Sequence, residues 1–524
     1  MRRELFGVAV EAAGARRGAS KYWLLGLLLP LLFLGASLCA ELRVPWVEND
    51  NYCGAIYSQA AHNNLRAGLL KTAGVPATLY YGPLPIPREE FYVHHPTLFP
   101  LLITGAFATL GEAEWVARLV PILSSLGGLV FVWLIVRETA GGRAAAFSAA
   151  LFAASPMELH YGGLVDFEPV LVLWMLATLF FLLRWEQTQR PHWRSLAIAG
   201  CLLCVLTDWP GYLFVGSLGA WYFFKRNPSR GFALLLVGLG GISAAIFLAQ
   251  IRHINPRAWS DLWTAMTMRL GSGMATGSSG TETASNLHFT FVQWLQTVGG
   301  AIVRDFLPGP LLLAVAGGII LLLGRKRREL WAATHLSVAG FLYLIVLRNE
   351  SFIHDFAAFY LLGAVAILGG VALDAAVRRS GKFASAATAL ALVLLVSLGA
   401  GAYGRSQSLR SQFYMLDGET PEPYNLVPAV GKYLYETFPP EATILANFDP
   451  YGSTMPYYAQ RSIIQNLHEA ENWRAVIKQE SPPLGGIIWL GAPDAPELVA
   501  SLPVAELVPQ EIEHVRFLVW RPGS

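Results

Sequence analysis

The sequence predicts an α-helical polytopic membrane protein of about eleven transmembrane helices, with a small extracytoplasmic α/β unit at its C-terminal end. Of the 524 residues, 54% are hydrophobic and only 14% are charged, against about 25% charged in a soluble domain. Apolar runs approaching the roughly 20 residues that a bilayer demands recur along most of the chain. Basic residues gather in alternate short gaps between those runs, as positive-inside sorting requires. The net charge of +2 decides little by itself. No basic stripe interleaves with exposed aromatics, so nucleic acid is excluded and the lipid bilayer is the partner that composition demands.

The first run, about 22–40, follows Arg2, Arg3, Arg16, Arg17 and Lys21 and lacks a small-residue cleavage site. It reads as a retained signal anchor with a cytoplasmic N-terminus. Further runs lie near 115–136, 144–162, 167–183, 195–208, 211–224, 231–250, 307–324, 330–347, 356–377 and 383–402. Alternation puts 137–143, 184–194, 225–230, 325–329 and 378–382 on the side of the N-terminus. Together with the N-terminus, those short segments hold 20 of the 38 Lys and Arg residues. That side is therefore the cytoplasm, and the expected location is the plasma (inner) membrane.

This alternation gathers the acids on the outer side. Asp50 lies in Glu48-Asn49-Asp50-Asn51, Asp166 and Glu168 precede Pro169, Asp208 precedes Trp209-Pro210, and His354-Asp355 follows another run. Ionisable groups at membrane depth cost about 2.5–3.5 kcal/mol at a helix centre, so they face partners, cavities or substrates. Each also has a local role open to it. Asp50 suits the N-cap of the next helix, Asp166 and Glu168 suit a helix start, and Asp208 suits a turn. Because proline disfavours the helical region at the residue before it, Glu168 is expected to be extended, on the same face as Asp166. Cys201 and Cys204 read as two buried thiols inside an apolar run. Cys39 and Cys53 both lie outside, where pairing is open to them.

The membrane unit covers 1–404. Its first outer segment, 41–114, is too long for a connector: helical spacing runs from Tyr52 to Gly68, and Thr97 to Leu110 is an apolar interfacial stretch. Prolines between Pro76 and Pro96 mark extended loop. The second outer segment, 251–306, contains a Gly/Ser-rich centre from Gly271 to Gly280 that reads as a mobile linker or a lid. Residues 405–524 form the outer α/β unit, with helices at Pro428–Phe438 and Asn472–Gln479 and strands at Thr443–Asn447, Gly486–Leu490 and Val515–Trp520.

Three stretches resemble the polytopic GT-C glycosyltransferases, in particular the bacterial protein mannosyltransferase and aminoarabinose transferase-like group. Trp46-Val-Glu-Asn-Asp50 with the helix behind it is similar to that group's acidic motif and juxtamembrane helix. His94-His95-Pro96-Thr97-Leu98, then Leu110-Gly111-Glu112 and Ala117-Arg118-Leu119, resembles its proline-rich loop and span entry. Thr207-Asp208-Trp209-Pro210 stands where many members carry Thr-Lys. The likeness covers roughly 20–380 in order and sidedness. It departs at Asn51, where an acid is common, at His94-His95, and at Asp208, where a cation is expected.

The resemblance implies a hexosyl- or pentosyltransferase that takes a polyprenyl-phosphate sugar and delivers it to a protein, lipid or glycan acceptor outside the membrane. Asp50 is the implied general base for the acceptor hydroxyl, a role contributing about 10²–10⁴-fold. The departing phosphate needs positive charge. Arg269, His354 and His94 or His95 are candidates, and Asp208 and Asp355 lie on the same face. Asp166 and Glu168 are candidate oxygen ligands for Mg²⁺ or Mn²⁺, or else they position basic residues or acceptor. The rival class is a transporter or flippase of lipid-linked sugars. Against it, the runs show no inverted repeat and the acids gather at one face rather than the midplane. An anchored binding module is a third reading, and the long first outer loop argues against it.

The topology has a direct check. With Ser411→Cys and Arg327→Cys made separately, a membrane-impermeant thiol reagent added outside should label position 411 and spare 327. The reverse pattern overturns the orientation.

Overall fold

In lipid every backbone N–H and C=O must be satisfied within its own segment, so the apolar runs have little choice but to become helices. The computed structural model describes residues 20–47, 51–225, 229–271, 289–324, 327–410, 426–448, 454–464, 484–490 and 508–521. The expected runs fall on helices, with 144–162 broken into two at Ala154-Ser155 and 356–377 opening as a 3₁₀ segment before its α-helix. In chain order these are α1 (Ser20–Cys39), α2 (Tyr52–Ala67), α3 (Leu98–Leu110), α4 (Glu114–Thr139), α5 (Gly142–Ala153), α6 (Pro156–Tyr161), α7 (Phe167–Thr188), α8 (Pro191–Thr207), α9 (Trp209–Phe224), α10 (Arg230–Ile254), α11 (Ala258–Arg269), α12 (Phe291–Phe306), α13 (Pro308–Leu323), α14 (Arg327–Val346), α15 (Arg348–Ile353), α16 (Leu362–Arg379) and α17 (Ala384–Arg410).

Five stretches are by themselves long and apolar enough to cross a membrane: α4, α7, α10, 355–379 and 381–407. Packing sorts them into centre and rim. The most apolar windows of 355–379 and α7 are 83% and 78% buried, against 28% for α10 and 17% for 381–407. Helices α16 and α7 therefore form the middle of the bundle, and α10 and α17 present leucine and valine to lipid. Small residues let α16 sit close to its neighbours. A Cβ on Gly370 would lie 2.5 Å from the backbone N of Ser148 on α5, and one on Gly317 would lie 2.0 Å from the Leu368 carbonyl.

The second outer segment holds more structure than a linker. It carries α11, and then α12, which meets α13 at a 96° bend. The bend falls at Leu307, whose φ is 64°, and Pro308 opens α13, where its missing N–H costs nothing. Most of the Gly/Ser-rich centre, 272–280, lies outside the described residues. The expected extended form at Glu168 is corrected: α7 already begins at Phe167, and Glu168 lies in its first turn. The first turn needs no N–H from Pro169, and the Asp166 side chain caps it by accepting from Phe167 N at 2.8 Å. No disulfide joins Cys39, Cys53, Cys201 or Cys204, and the last two are buried.

Beyond the bundle, α18 (Leu426–Thr437), β1 (Thr443–Ala446), α19 (Thr454–Ala459), β2 (Ser462–Ile464), β3 (Leu484–Leu490), β4 (Val508–Ile512) and β5 (Val515–Trp520) form an α/β unit. The sheet order is β2-β1-β3-β5-β4. Strands β2, β1 and β3 run parallel, and β5 lies antiparallel between β3 and β4. Val430, Leu434, Ile444, Ile488 and Phe517 fill its core, and Val47 from the first outer segment is buried in the same cluster. The expected helix at 472–479 lies outside the described residues. Three short elements, α19, β2 and β4, were not anticipated; β4 carries a proline and a glutamate, which suits a sheet edge and hides a strand pattern.

Candidate functional site

The N-terminal ends of α7 and α9 are capped by acids. Asp166 caps α7, and Asp208 is a single extended residue between α8 and α9 whose side chain accepts from Trp209 N at 2.7 Å. Capping fixes both carboxylates by backbone geometry. It leaves each a second oxygen for other partners.

From Asp208 a chain of polar contacts crosses this end of the bundle. Its Oδ1 lies 2.7 Å from His95 Nδ1, its Oδ2 accepts from the Tyr360 hydroxyl at 3.2 Å, and the same hydroxyl lies 3.4 Å from Glu168 Oε1. On the far side of the imidazole, His95 Nε2 is 2.9 Å from Arg269 Nη2. Arg269, at the last turn of α11, donates to Glu350 Oε2 at 3.0 Å and to the Tyr92 hydroxyl. His354 Nε2 lies 3.7 Å from Glu350 Oε1. A guanidinium has no acceptor and a carboxylate no donor, so His95 must donate from Nδ1 and accept at Nε2. Neutral His95 in that tautomer joins an anion to a cation. Its ring is held flat against Phe167, with centroids 4.7 Å apart.

Burial sets the charge states. Glu350 would be raised by burial, but Arg269 first and then His354 bring its carboxyl below the ordinary value. Burial opposes the charge on Arg269, and Glu350 restores it, leaving its pKa raised. Burial pushes the Asp166 carboxyl up, against the Cys53 thiol and Phe167 N–H that bond it. Burial, with Arg269 nearby, lowers the His94 imidazole to about 3. His94 is therefore a neutral group, and its carbonyl accepts from Trp209 Nε1 at 2.7 Å.

Of the residues singled out in the sequence, the structure brings together His95, Asp166, Glu168, Asp208, Arg269 and His354. Asp355 points elsewhere: it accepts from Tyr161 Oη at 2.5 Å and pairs with Arg304, which also chelates Asp305. Asp50 lies outside the described residues; its neighbour Asn51 opens α2. Glu350, Tyr92 and Tyr360 were missed. Glu350 carried a signal, its i,i+4 spacing from His354, whereas Tyr360 is hidden in an apolar run. Among the described residues no group of three or more His, Cys, Asp or Glu is arranged to hold a metal ion.

Residues 94–227 match the family model described as dolichyl-phosphate-mannose-protein mannosyltransferase, a stretch that opens at His94 and includes Asp166, Glu168 and Asp208. No curated protein matches the chain. Among solved structures, the chain is similar to ArnT from Cupriavidus metallidurans bound to undecaprenyl phosphate, with TM-score 0.62 at 15% identity over 96% of this chain and 98% of that one. It is also similar to the oligosaccharyltransferase AglB from Archaeoglobus fulgidus, in complex with an inhibitory peptide and a dolichol-phosphate. There the TM-score is 0.58 at 15% identity, over 90% of this chain and 70% of that one. At such identity these two speak for the fold. The family model and the shared fold together support a GT-C membrane glycosyltransferase.

Glu350→Gln tests the buried pair. It leaves the Arg269 charge without its carboxylate, a loss of about 3–5 kcal/mol, read as a lower melting temperature in detergent at pH 7. A lowered carboxylate contributes stability fully above its ordinary value, about pH 4.3, and loses it as pH falls through the folded value. The variant should therefore lack that part of the acid-side loss, and melting curves at pH 7 and pH 4 check both signs.

Proposed function

We propose that the protein moves a sugar from a polyprenyl-phosphate donor to an acceptor hydroxyl at the extracytoplasmic face, with inversion and with Asp50 as general base. The observation that carries this is Arg269: a guanidinium held by Glu350, His95 and Tyr92 at the outer ends of lipid-facing helices. It supplies the positive charge that Asp208 denies at the position where a lysine is common in similar proteins. The two similar structures hold lipid phosphates, undecaprenyl phosphate in one and dolichol-phosphate in the other. Such a lipid keeps its chain among the exposed leucines of the rim and brings its phosphate to the helix ends.

The chemistry is a single displacement. The acceptor oxygen forms a bond to the anomeric carbon as the bond from that carbon to the phosphate oxygen breaks. The electron pair leaves with the phosphate toward Arg269, and the acceptor proton passes to the Asp50 carboxylate. A divalent ion, Mg²⁺ or Mn²⁺, would be held by Asp166 and Glu168, whose oxygens suit it and which otherwise repel each other. When bound it would add positive charge beside the phosphate.

Asp50→Asn keeps the shape of the side chain and removes its basicity. Transfer from a radiolabelled lipid-linked sugar in detergent should fall below about a tenth of wild type with expression unchanged, because a general base contributes about 10²–10⁴-fold. A variant retaining more than that leaves Asp50 only a capping role. In detergent no vesicle exists, so turnover also separates an enzyme from a flippase.

The acid pair has its own test. Asp166→Asn and Glu168→Gln should each impair transfer, and a chelator should do the same with reversal by Mg²⁺ or Mn²⁺. Chelator resistance with inactive variants removes the metal and leaves the pair a role toward Arg269 and the acceptor. Full activity in both variants removes the pair from the site.

A further inference from the structure

Where the C-terminal unit sits on the membrane unit, polar groups are taken up within the chain. The Trp46 backbone N–H donates to the hydroxyl of Tyr458 on α19 at 2.8 Å, and that hydroxyl donates to Glu114 Oε1 at 2.8 Å. The far end of α2 is built differently. There a cavity of about 620 Å³ opens between the end of α2, the turn Leu69–Thr72, the loop 84–91 and the last residues of α10. Such a volume suits a small-molecule site, for which about 300–1,000 Å³ is usual. Lys71, Arg88 and His253 supply its basic groups, and Leu84, Ile86 and Phe91 much of its apolar wall.

The charge in this cavity is held in place rather than cancelled. Arg88 Nε donates to the Ile254 carbonyl at 2.8 Å and Nη2 to the His253 carbonyl at 2.5 Å. Those bonds satisfy carbonyls that the end of α10 leaves open, and the rest of the guanidinium fork is left for another acceptor. Among the described residues no ion pair engages Lys71 or Arg88, and no carboxylate lines the cavity. Glu90, two residues beyond Arg88, stands near Tyr80 instead.

Its surroundings are those of a bilayer boundary. α10 is a rim helix, and Leu69, Leu70 and Leu84 are exposed beside its end, Leu70 almost completely. α11, the next helix, exposes Trp259 and Trp263 one turn apart. Leucines in the open beside tryptophan and basic side chains suit the level where acyl chains give way to headgroups. The cavity is also separate from the polar site around Arg269. Phe91 and Val93 lie in one apolar cluster with Ile251 and Ile254, whereas Tyr92 between them bonds Arg269. The two sites thus occupy opposite faces of one extended segment.

We propose that this cavity seats the headgroup of an anionic membrane phospholipid, with its phosphate between Lys71 and Arg88 and its acyl chains along Leu69, Leu70 and Leu84. An arginine fork matches phosphate oxygens and a lysine adds a point charge, and basic pockets at helix ends are suited to anionic headgroups. A zwitterionic headgroup brings a cation that no carboxylate of the cavity can meet. The polyprenyl donor has its own cation in Arg269, so the occupant is a lipid of the bilayer.

The test is the melting temperature of the full-length protein in detergent, titrated separately with dioleoylphosphatidylglycerol, dioleoylphosphatidylcholine, undecaprenyl phosphate and inorganic phosphate. A ligand that binds only the folded state raises Tm with its concentration. Phosphatidylglycerol should raise the wild-type Tm well beyond phosphatidylcholine. Lys71→Gln should need about tenfold more phosphatidylglycerol for the same rise, the weight of one charged hydrogen bond. Lys71 is exposed, so this variant should melt like wild type without lipid. Arg88→Gln should show the same demand, with its rise measured from its own lipid-free Tm because the end of α10 is loosened. Lys382→Gln, an exposed change at the opposite end of the bundle, should titrate as wild type. Equal responses to the two phospholipids, an unchanged titration in Lys71→Gln, or an equal loss in Lys382→Gln each overturns the site. A rise with inorganic phosphate that Lys71→Gln abolishes overturns the lipid in favour of a free anion. A rise with undecaprenyl phosphate that Lys71→Gln abolishes overturns the phospholipid in favour of the donor lipid.

Discussion

The end of the bundle at which α7 and α9 begin depends on the Arg269–Glu350 ion pair. A guanidinium cannot shed its proton, so wherever it is buried an anion has to be supplied. Glu350 supplies it, and the remaining N–H groups of Arg269 are then free to select their neighbours. His95 answers with a lone pair at Nε2, which fixes its other nitrogen as a donor and orients Asp208. Tyr360 closes the series by placing one hydroxyl between Asp208 and Glu168. Helices α7, α9, α11, α15 and the turn before α16 are thereby joined by charge and hydrogen bonds at the level where their apolar packing ends.

The same acids carry a second duty. Asp166 and Asp208 cap helices whose first N–H groups would otherwise be unpaired at the membrane boundary. The chain thus obtains a polar site and two helix starts from one pair of residues. Because the cap fixes one oxygen of each, the freedom of these side chains is small, and a site built on them inherits the rigidity of the bundle.

Much of the fold was legible because lipid enforces it. The apolar runs became helices, the helix from Tyr52 and the interfacial stretch to Leu110 formed as their spacing implied, and the four expected elements of the C-terminal unit that fall among described residues, one helix and three strands, stand near their expected bounds. What failed was local. Pro169 suggested extended backbone at Glu168, yet a first turn asks nothing of a proline nitrogen. Phe291–Phe306 looked like loop because its apolar positions are interrupted by Gln, Arg and Asp, and the sequence carries no trace of the 96° bend that joins it to α13. At the site, the residues with charge were visible one by one. Their partnership was not, because Arg269 and His95 are 174 residues apart and Asp208 and His95 are 113 apart. The tyrosines at 92 and 360 were invisible for a different reason: Tyr360 lies in an apolar run and Tyr92 in a proline-marked loop, and a single hydroxyl gives no periodic signal in either.

The hydrogen bond from Trp46 to Tyr458 joins positions 412 residues apart. Synthesis proceeds at about 5–20 residues per second, so tens of seconds separate the emergence of these two side chains. During that interval the bundle can insert and pack, since its helices need no partner from the last stretch of the chain. The Trp46 N–H, by contrast, has no Tyr458 hydroxyl to meet until α19 arrives. A membrane-inserted nascent chain thus packs its bundle before this contact can form, and the emergence of α19 is the event that completes it.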